Sequence, residues 1–160
     1  QNSEMWYPRF RFAEALLIAA EAAYELGGTN KVKAVEYINR VRARGGIKEL
    51  TESTITFEHI VNEYRVEFAF EDHRWWDLRR WRLAHTVWNG VIDSPTAQMY
   101  SLFPYKVYAP GSPYDGKWAF EKSRSYMAPN ARNFTMRCYY GSIDDGWINK
   151  NPKLVKNPLQ

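Results

Sequence analysis

Three glutamates, Glu63, Glu67 and Glu71, recur every four residues and so share one face of a helix. Two carboxylates facing one sugar bond are what glycoside hydrolysis requires, one as acid and one as nucleophile or base. The same spacing also suits charge pairing. Arg74 lies within one turn of Glu71, and Asp77 lies within one turn of both Arg74 and Arg80. Acids and guanidiniums in that register neutralise one another, whereas a bare row of like charges costs stability. We therefore expect these acids to fix a helix rather than to catalyse. His59 and Glu63, at i and i+4, present two metal-ligand types but no third ligand in register, and His73 and His85 stand alone. Asp144-Asp145-Gly146 reads as a turn. The chain has no Gly-rich phosphate loop, no nucleophile elbow and no Cys–His pair with an orienting partner. The expectation is no catalytic residue, no metal and no cofactor.

Aromatic rings offer a different chemistry, stacking against the apolar face of a sugar. His73 to Arg82 holds Trp75, Trp76 and Trp81 among four arginines. At helical spacing these three rings point to different faces, so core packing with guanidinium stacking is expected there. The aromatics of the later, Pro- and Gly-punctuated part are the better ligand candidates, because loops on a rigid scaffold are where binding groups collect. From these we take Trp88, Tyr100, Trp118, Tyr126 and Trp147 as candidate ligand-binding residues, with Asn, Asp and Arg nearby to bond hydroxyls.

The elements that would position them are mainly helical. Residues 9–26 carry Phe12, Leu16, Leu17, Ala20, Ala23 and Tyr24 on one face, and the many alanines suit close helix–helix approach. Gly27-Gly28 ends that helix. Thr29 or Asn30 is expected to cap the next, 31–44, with Ala34, Val35, Ile38 and Val41 inward and Gly45-Gly46 as its stop. Two helices joined by a short loop over about this length form a tetratricopeptide-like hairpin. A linker, 47–55, leads to a stretch of thirty residues without Gly or Pro, Thr56 to His85. Thr56 is its expected N-cap, with Ile55 and Ile60 as a hydrophobic staple. Helix is expected to about Phe70, with a break or second helix around 72–76. Beyond Asn89-Gly90 the texture changes to loops, in which 133–140 alternates like a strand. The fold class is thus mainly α: a helical hairpin and a long helix, then an irregular loop-rich region with short strands. We expect 1–160 to act as one unit, helical over 1–89 and loop-rich over 90–160.

Composition narrows the partners. With 160 residues the chain can bury one sizeable core. Its net charge of +4 comes from 22 basic residues interleaved with 18 acids, without the continuous basic face that phosphate tracking needs, so no nucleic acid partner is expected. One cysteine, Cys138, excludes an internal disulfide. No run approaches 18 apolar residues. A chain starting at Gln1, with no initial Met and no signal peptide, is expected to be part of a longer protein.

Four ordered segments carry a family resemblance: Arg11 to Ala22 (RFAEALLIAAEA), Ala34 to Arg44 (AVEYINRVRAR), Glu63 to Glu71 (EYRVEFAFE) running into His73 to Trp81 (HRWWDLRRW), and Asn151 to Pro158 (NPKLVKNP). In this order and spacing they resemble the C-terminal part of the SusD/RagB family of outer-membrane nutrient-binding lipoproteins of Bacteroidetes. Residues 91–150 are matched by no quotable motif. The resemblance implies a tetratricopeptide-like helical fold without catalysis. It implies a cell-surface position in the outer membrane, through a lipidated N-terminal cysteine that this chain does not contain. It further implies an oligosaccharide or peptide ligand, delivery to a SusC-like TonB-dependent transporter, and packing against an upstream remainder of the same chain. No ligand residue is carried over from the family, because the matched segments are scaffold. Outside that family, the alternative is a helical-repeat scaffold holding a peptide or protein segment in a groove.

Overall fold

The computed structural model describes residues 9–125 and 128–160. It contains six α-helices in chain order: α1 Phe12–Leu26, α2 Lys31–Arg44, α3 Phe57–Glu67, α4 His73–Arg80, α5 Ala84–Val87 and α6 Asp145–Lys150. Two strands, β1 Tyr100–Lys106 and β2 Trp118–Arg124, pair antiparallel. The fold is mainly helical with a helical hairpin, as the apolar periodicity implies. The chain divides into two compact units, Gln1–Asp77 and Leu78–Gln160, so the division falls inside α4 and not at the change of texture near residue 90.

In the first unit α1 packs along α2 and α3. Leu16, Leu17, Ala20 and Ala23 of α1 meet Ala34, Ile38 and Val41 of α2, and all are buried. The helix begins at Phe12 rather than at residue 9, because Arg11 has an extended backbone. The expected side-chain cap of α2 does not form. Gly28–Asn30 is a 3-10 turn that runs straight into α2, so Asn30 is already helical and makes no capping bond. The far end of α2 closes as the two glycines lead one to expect. Gly46 takes φ +65°, its N–H reaches Ala43 O at 3.1 Å, and Ile47 N–H reaches Arg42 O at 3.0 Å. That is a Schellman closure, which needs a left-handed residue where Gly46 stands.

The linker is tied down by one side chain. Asn39 Nδ2 donates to Leu50 O at 2.8 Å and Leu50 N–H donates to Asn39 Oδ1 at 2.9 Å. Thr56 then caps α3, and the residue that completes the capping box is His59, whose Nδ1 lies 3.3 Å from Thr56 N. Ile55 and Ile60 are both buried, as a staple requires. The long stretch breaks where expected: α3 ends at Glu67, Phe70 and Asp72 take φ +67° and +61°, and α4 starts at His73.

The second unit has a small core of Leu78, Ala84, Trp88 and Phe134, with Leu83, Val87 and Tyr139 against it. The strand expected over 133–140 is not there. Asn133 makes a single bridge to Asn89, and Met136–Tyr139 is a 3-10 turn. The reason is geometric. Residues 134 and 139 would point to opposite faces of a strand, but both rings are needed in one core, where their centroids lie 4.8 Å apart. The 3-10 turn brings Tyr139 back, and its hydroxyl then sits 2.9 Å from His85 Nδ1. Phe134 N–H donates to Trp88 O at 2.7 Å, fixing the two buried rings side by side. Gly90 makes room for the Asn133 side chain: its φ is +76°, and a Cβ there would stand 3.0 Å from Asn133 Cγ.

Candidate functional site

The acidic row is wholly engaged by guanidiniums, from other elements than expected. Arg42 Nη1 donates to Glu63 Oε2 at 2.6 Å. Arg44 Nη2 donates to both carboxylate oxygens of Glu67, at 2.6 and 2.7 Å. Arg11 donates to Glu67 at 2.7 Å and forks onto Glu71 at 2.8 and 2.9 Å. The bonds to Glu71 lead the effects that raise the Arg11 pKa. The pairing thus runs from α1 and α2 to the end of α3, not along one helix from Arg74. The Arg74 nitrogen Nη1 is buried without a hydrogen-bond partner among the described residues. Burial, then the charge of Arg65, pushes the Arg74 pKa down. All three carboxylates are engaged by arginines, and the hydrolase reading of Glu63, Glu67 and Glu71 has no geometry behind it. Among the described residues no three His, Cys, Asp or Glu side chains gather as a metal site. No helix of the described residues is long and apolar enough to cross a membrane.

The candidate aromatics fall into different places. Trp88 is 7% exposed and belongs to the core, so its ring offers no face to a ligand. Tyr126 lies outside the described residues. Trp147 is exposed on α6, a short helix capped by Asp144, whose Oδ1 accepts from Gly146 N–H at 2.8 Å. Tyr100 and Trp118 lie on the hairpin, at opposite ends of its ladder. The register pairs Tyr100 with Arg124, Leu102 with Lys122, Pro104 with Phe120 and Lys106 with Trp118. Opposed residues in an antiparallel pair share a face, and alternate residues along a strand share it too. One face therefore carries Tyr100, Leu102, Pro104, Trp118 and Phe120, and with them Lys106, Lys122 and Arg124. Trp118 and Phe120 are each 64% exposed.

Trp118, expected on a loop, lies exposed on a strand. Phe120 was missed. Its run, 117–120, shows too short an alternation to mark a strand, and the pairing with Pro104 is a long-range fact. Trp75 and Trp76, expected in a core, are exposed on α4. Arg80 does lie over the Trp81 ring, at 4.4 Å.

The base of the hairpin is braced by one carboxylate. Asp93 Oδ1 accepts from the Tyr100 hydroxyl at 2.8 Å, and Arg124 Nη2 donates to Asp93 Oδ2 at 2.9 Å. The hydrogen bond from Arg124, then that from Tyr100, holds the Asp93 pKa below the usual carboxylate range. The same bond raises the Tyr100 pKa, so the phenol stays protonated. Asp93 itself has φ +67°, which turns the chain so that its carboxylate reaches the strand. Lys122 Nζ lies 3.9 Å from the centroid of the Tyr100 ring, a cation over a π face.

In the first unit one cavity, of about 390 Å³, is lined by Arg11, Phe12, Leu16, Arg40, Val41 and Arg44, with Ala13. Arg40 lies over the Phe12 ring at 5.2 Å.

Comparison with known proteins supplies the context for these two surfaces. The family model described as the SusD family matches residues 1–159. A SusD-like protein, P2, of Formosa agariphila is 36% identical over 107 residues, covering 59% of this chain and 21% of that protein. The starch-binding protein SusD of Bacteroides thetaiotaomicron is 33% identical over 107 residues, covering 62% of this chain and 18% of that protein. Among solved structures, a SusD-like protein from Bacteroides fragilis superposes with TM-score 0.66 at 27% identity, over 94% of this chain and 25% of that one. Surface glycan-binding protein A from Bacteroides uniformis gives TM-score 0.52 at 26% identity, over 94% and 27%. The chain thus spans about a fifth to a quarter of the length of the relatives it matches.

Proposed function

We propose a binding role without catalysis, and its premise is plain: this chain belongs to the SusD family. The ligand is a glycan, taken up at the surface of the outer membrane. It is passed to a SusC-like TonB-dependent transporter by a protein held through an N-terminal lipid anchor. The observation that carries the glycan reading is the exposed aromatic face of the β1–β2 hairpin, where Trp118 and Phe120 stand out at neighbouring positions. A folded protein that leaves such rings in water at adjoining positions is presenting them to a partner. Flat rings meet the C–H face of a pyranose. The names of two relatives, a starch-binding and a surface glycan-binding protein, agree with this class of ligand. The non-catalytic part is supported by the acidic row, whose three carboxylates are all held by arginines.

Isothermal calorimetry of the intact protein against a panel of oligosaccharides tests this reading. Saturable heat with at least one sugar, and no change in the sugar afterwards by chromatography, is the expected result. No heat with any sugar, or release of shorter sugars, would contradict it.

One observation favours a second reading, a peptide or protein ligand. The cavity on α1 and α2 sets Arg40 and Arg44 beside the apolar Phe12, Leu16 and Val41, a combination suited to an acidic, partly apolar segment. Loss of binding in Arg40→Ala, with hairpin variants unaffected, would favour it over the glycan reading.

A further inference from the structure

We infer that the glycan recognised by the hairpin is an acidic one, an oligosaccharide bearing carboxylate or sulfate groups; the inference rests on the glycan reading above. The eight residues that the register places on the aromatic face include three cations, Lys106, Lys122 and Arg124, and no acid. The one acid of the paired strands, Glu121, pairs with Phe103 and so belongs to the other face. Arg124 is spent on Asp93, with its Nη2 2.9 Å from Oδ2. The two lysines are not. Among the described residues neither is in an ion pair, and Lys122 rests its ammonium over the Tyr100 ring, which leaves its charge uncompensated. Asp93 feels the Lys122 charge, but its oxygens are already taken by Arg124 and the Tyr100 hydroxyl. The face thus carries two unspent positive charges flanking Trp118, Phe120 and Leu102, each of which is exposed.

A neutral sugar would leave both charges without a counterpart. An acidic sugar supplies what both the rings and the cations lack. Lys106 and Lys122 sit four residues apart along the ladder, since Lys122 is opposite Leu102. At the rise of an extended strand this is about 14 Å. One sugar ring cannot meet both charges, so the ligand is an oligomer with acid groups on separated units. Rings between the two cations then stack on the aromatic side chains.

The experiment uses the intact protein and hexamers of galacturonate, glucuronate and mannuronate, each paired with its carboxyl-reduced neutral counterpart, together with a sulfated galactose hexamer. Binding is measured by calorimetry at low and at physiological salt. The expected result is that at least one acidic hexamer binds more tightly than its neutral counterpart, with a difference that shrinks as salt rises. Lys106→Gln and Lys122→Gln each weaken the acidic ligand by about two- to fivefold, the scale of one exposed charge pair, and leave the neutral one unchanged. Trp118→Ala weakens both. The carboxylate and sulfate arms tell which acid group is read. Equal binding of acidic and neutral hexamers, or an acid preference that survives the double lysine variant, would overturn the inference and leave the glycan reading standing. Absence of binding in every arm would overturn both.

Discussion

The long-range contacts of the first unit and the β-hairpin of the second use cations and aromatic rings differently. In Gln1–Asp77 the guanidiniums of Arg11, Arg42 and Arg44 are bound to carboxylates that are themselves nearly buried, and Tyr64 and Phe68 are packed away. In Leu78–Gln160 the rings of Trp118 and Phe120 face water beside lysines that hold no acid. Cations and rings therefore serve cohesion at the first site and presentation at the second. The difference lies in where the partner comes from. A long-range partner within the unit consumes the group, while a ribbon with both faces in water leaves it for something outside.

Substitutions can break or sharpen that contrast. The largest effect is expected for buried groups in either unit. Trp88→Ala empties the small core of the second unit, and Leu17→Ala, at a site with no exposure, does the same in the first. Each is expected to cost about 3 to 5 kcal/mol in chemical denaturation. A cost under 1 kcal/mol for Trp88→Ala would mean that the ring is not the anchor the structure makes it. Next comes Glu63→Ala, which takes the carboxylate from Arg42, its side chain 13% exposed, and leaves the guanidinium the Lys48 carbonyl. Removing one member of a buried pair costs about 3 kcal/mol or more. Urea melts of Glu63→Ala and of the double variant Glu63→Ala/Arg42→Met measure it, and the second substitution is expected to restore part of the loss. If the double variant were no better than the single one, the isolated charge would not be the cause.

Smaller still is the effect of truncating the hairpin rings. Phe120→Ala is expected to shift stability by no more than about 0.5 kcal/mol, as for other exposed positions. A large loss would show that the ring is part of a core. The smallest effect is on pH dependence. The folded pKa of Asp93 lies below its ordinary value of 3.8, so its contribution is fully present above that value. It is lost as pH falls through the lower folded pKa. Asp93→Asn should flatten the acid limb of the hairpin's stability slightly, read by amide exchange of the 100–124 segment between pH 5 and about 2. An unchanged acid limb would detach Asp93 from the hairpin.

The contrast also marks what could be read from the amino acids in order. The first unit is made of local signals: alanine-rich periodicity in α1, Gly45-Gly46 after α2, Thr56 before α3, and a left-handed break near Phe70. Each acts within a few residues, so each was legible. The ion pairs were legible as a need for partners but not as partners, because Arg11 and Glu71 lie sixty residues apart. The second unit is decided by distant pairings. Trp88 could not be told from Trp118 by type or spacing; what separates them is that Phe134 comes back to cover the first. The alternation at 133–140 misled for the same reason, since the demands of that core outweigh a local strand pattern. The strands that do exist contain Pro104 and a lysine at an end, which are weak strand signals by themselves.

The most direct test compares Trp118→Ala with the unaltered protein in titrations with the tightest-binding sugar, with thermal melts of both. The account predicts that affinity falls at least about tenfold, the scale of a central aromatic anchor, while the melting temperature stays where it was. Undiminished affinity in Trp118→Ala, with the protein folded, would contradict it.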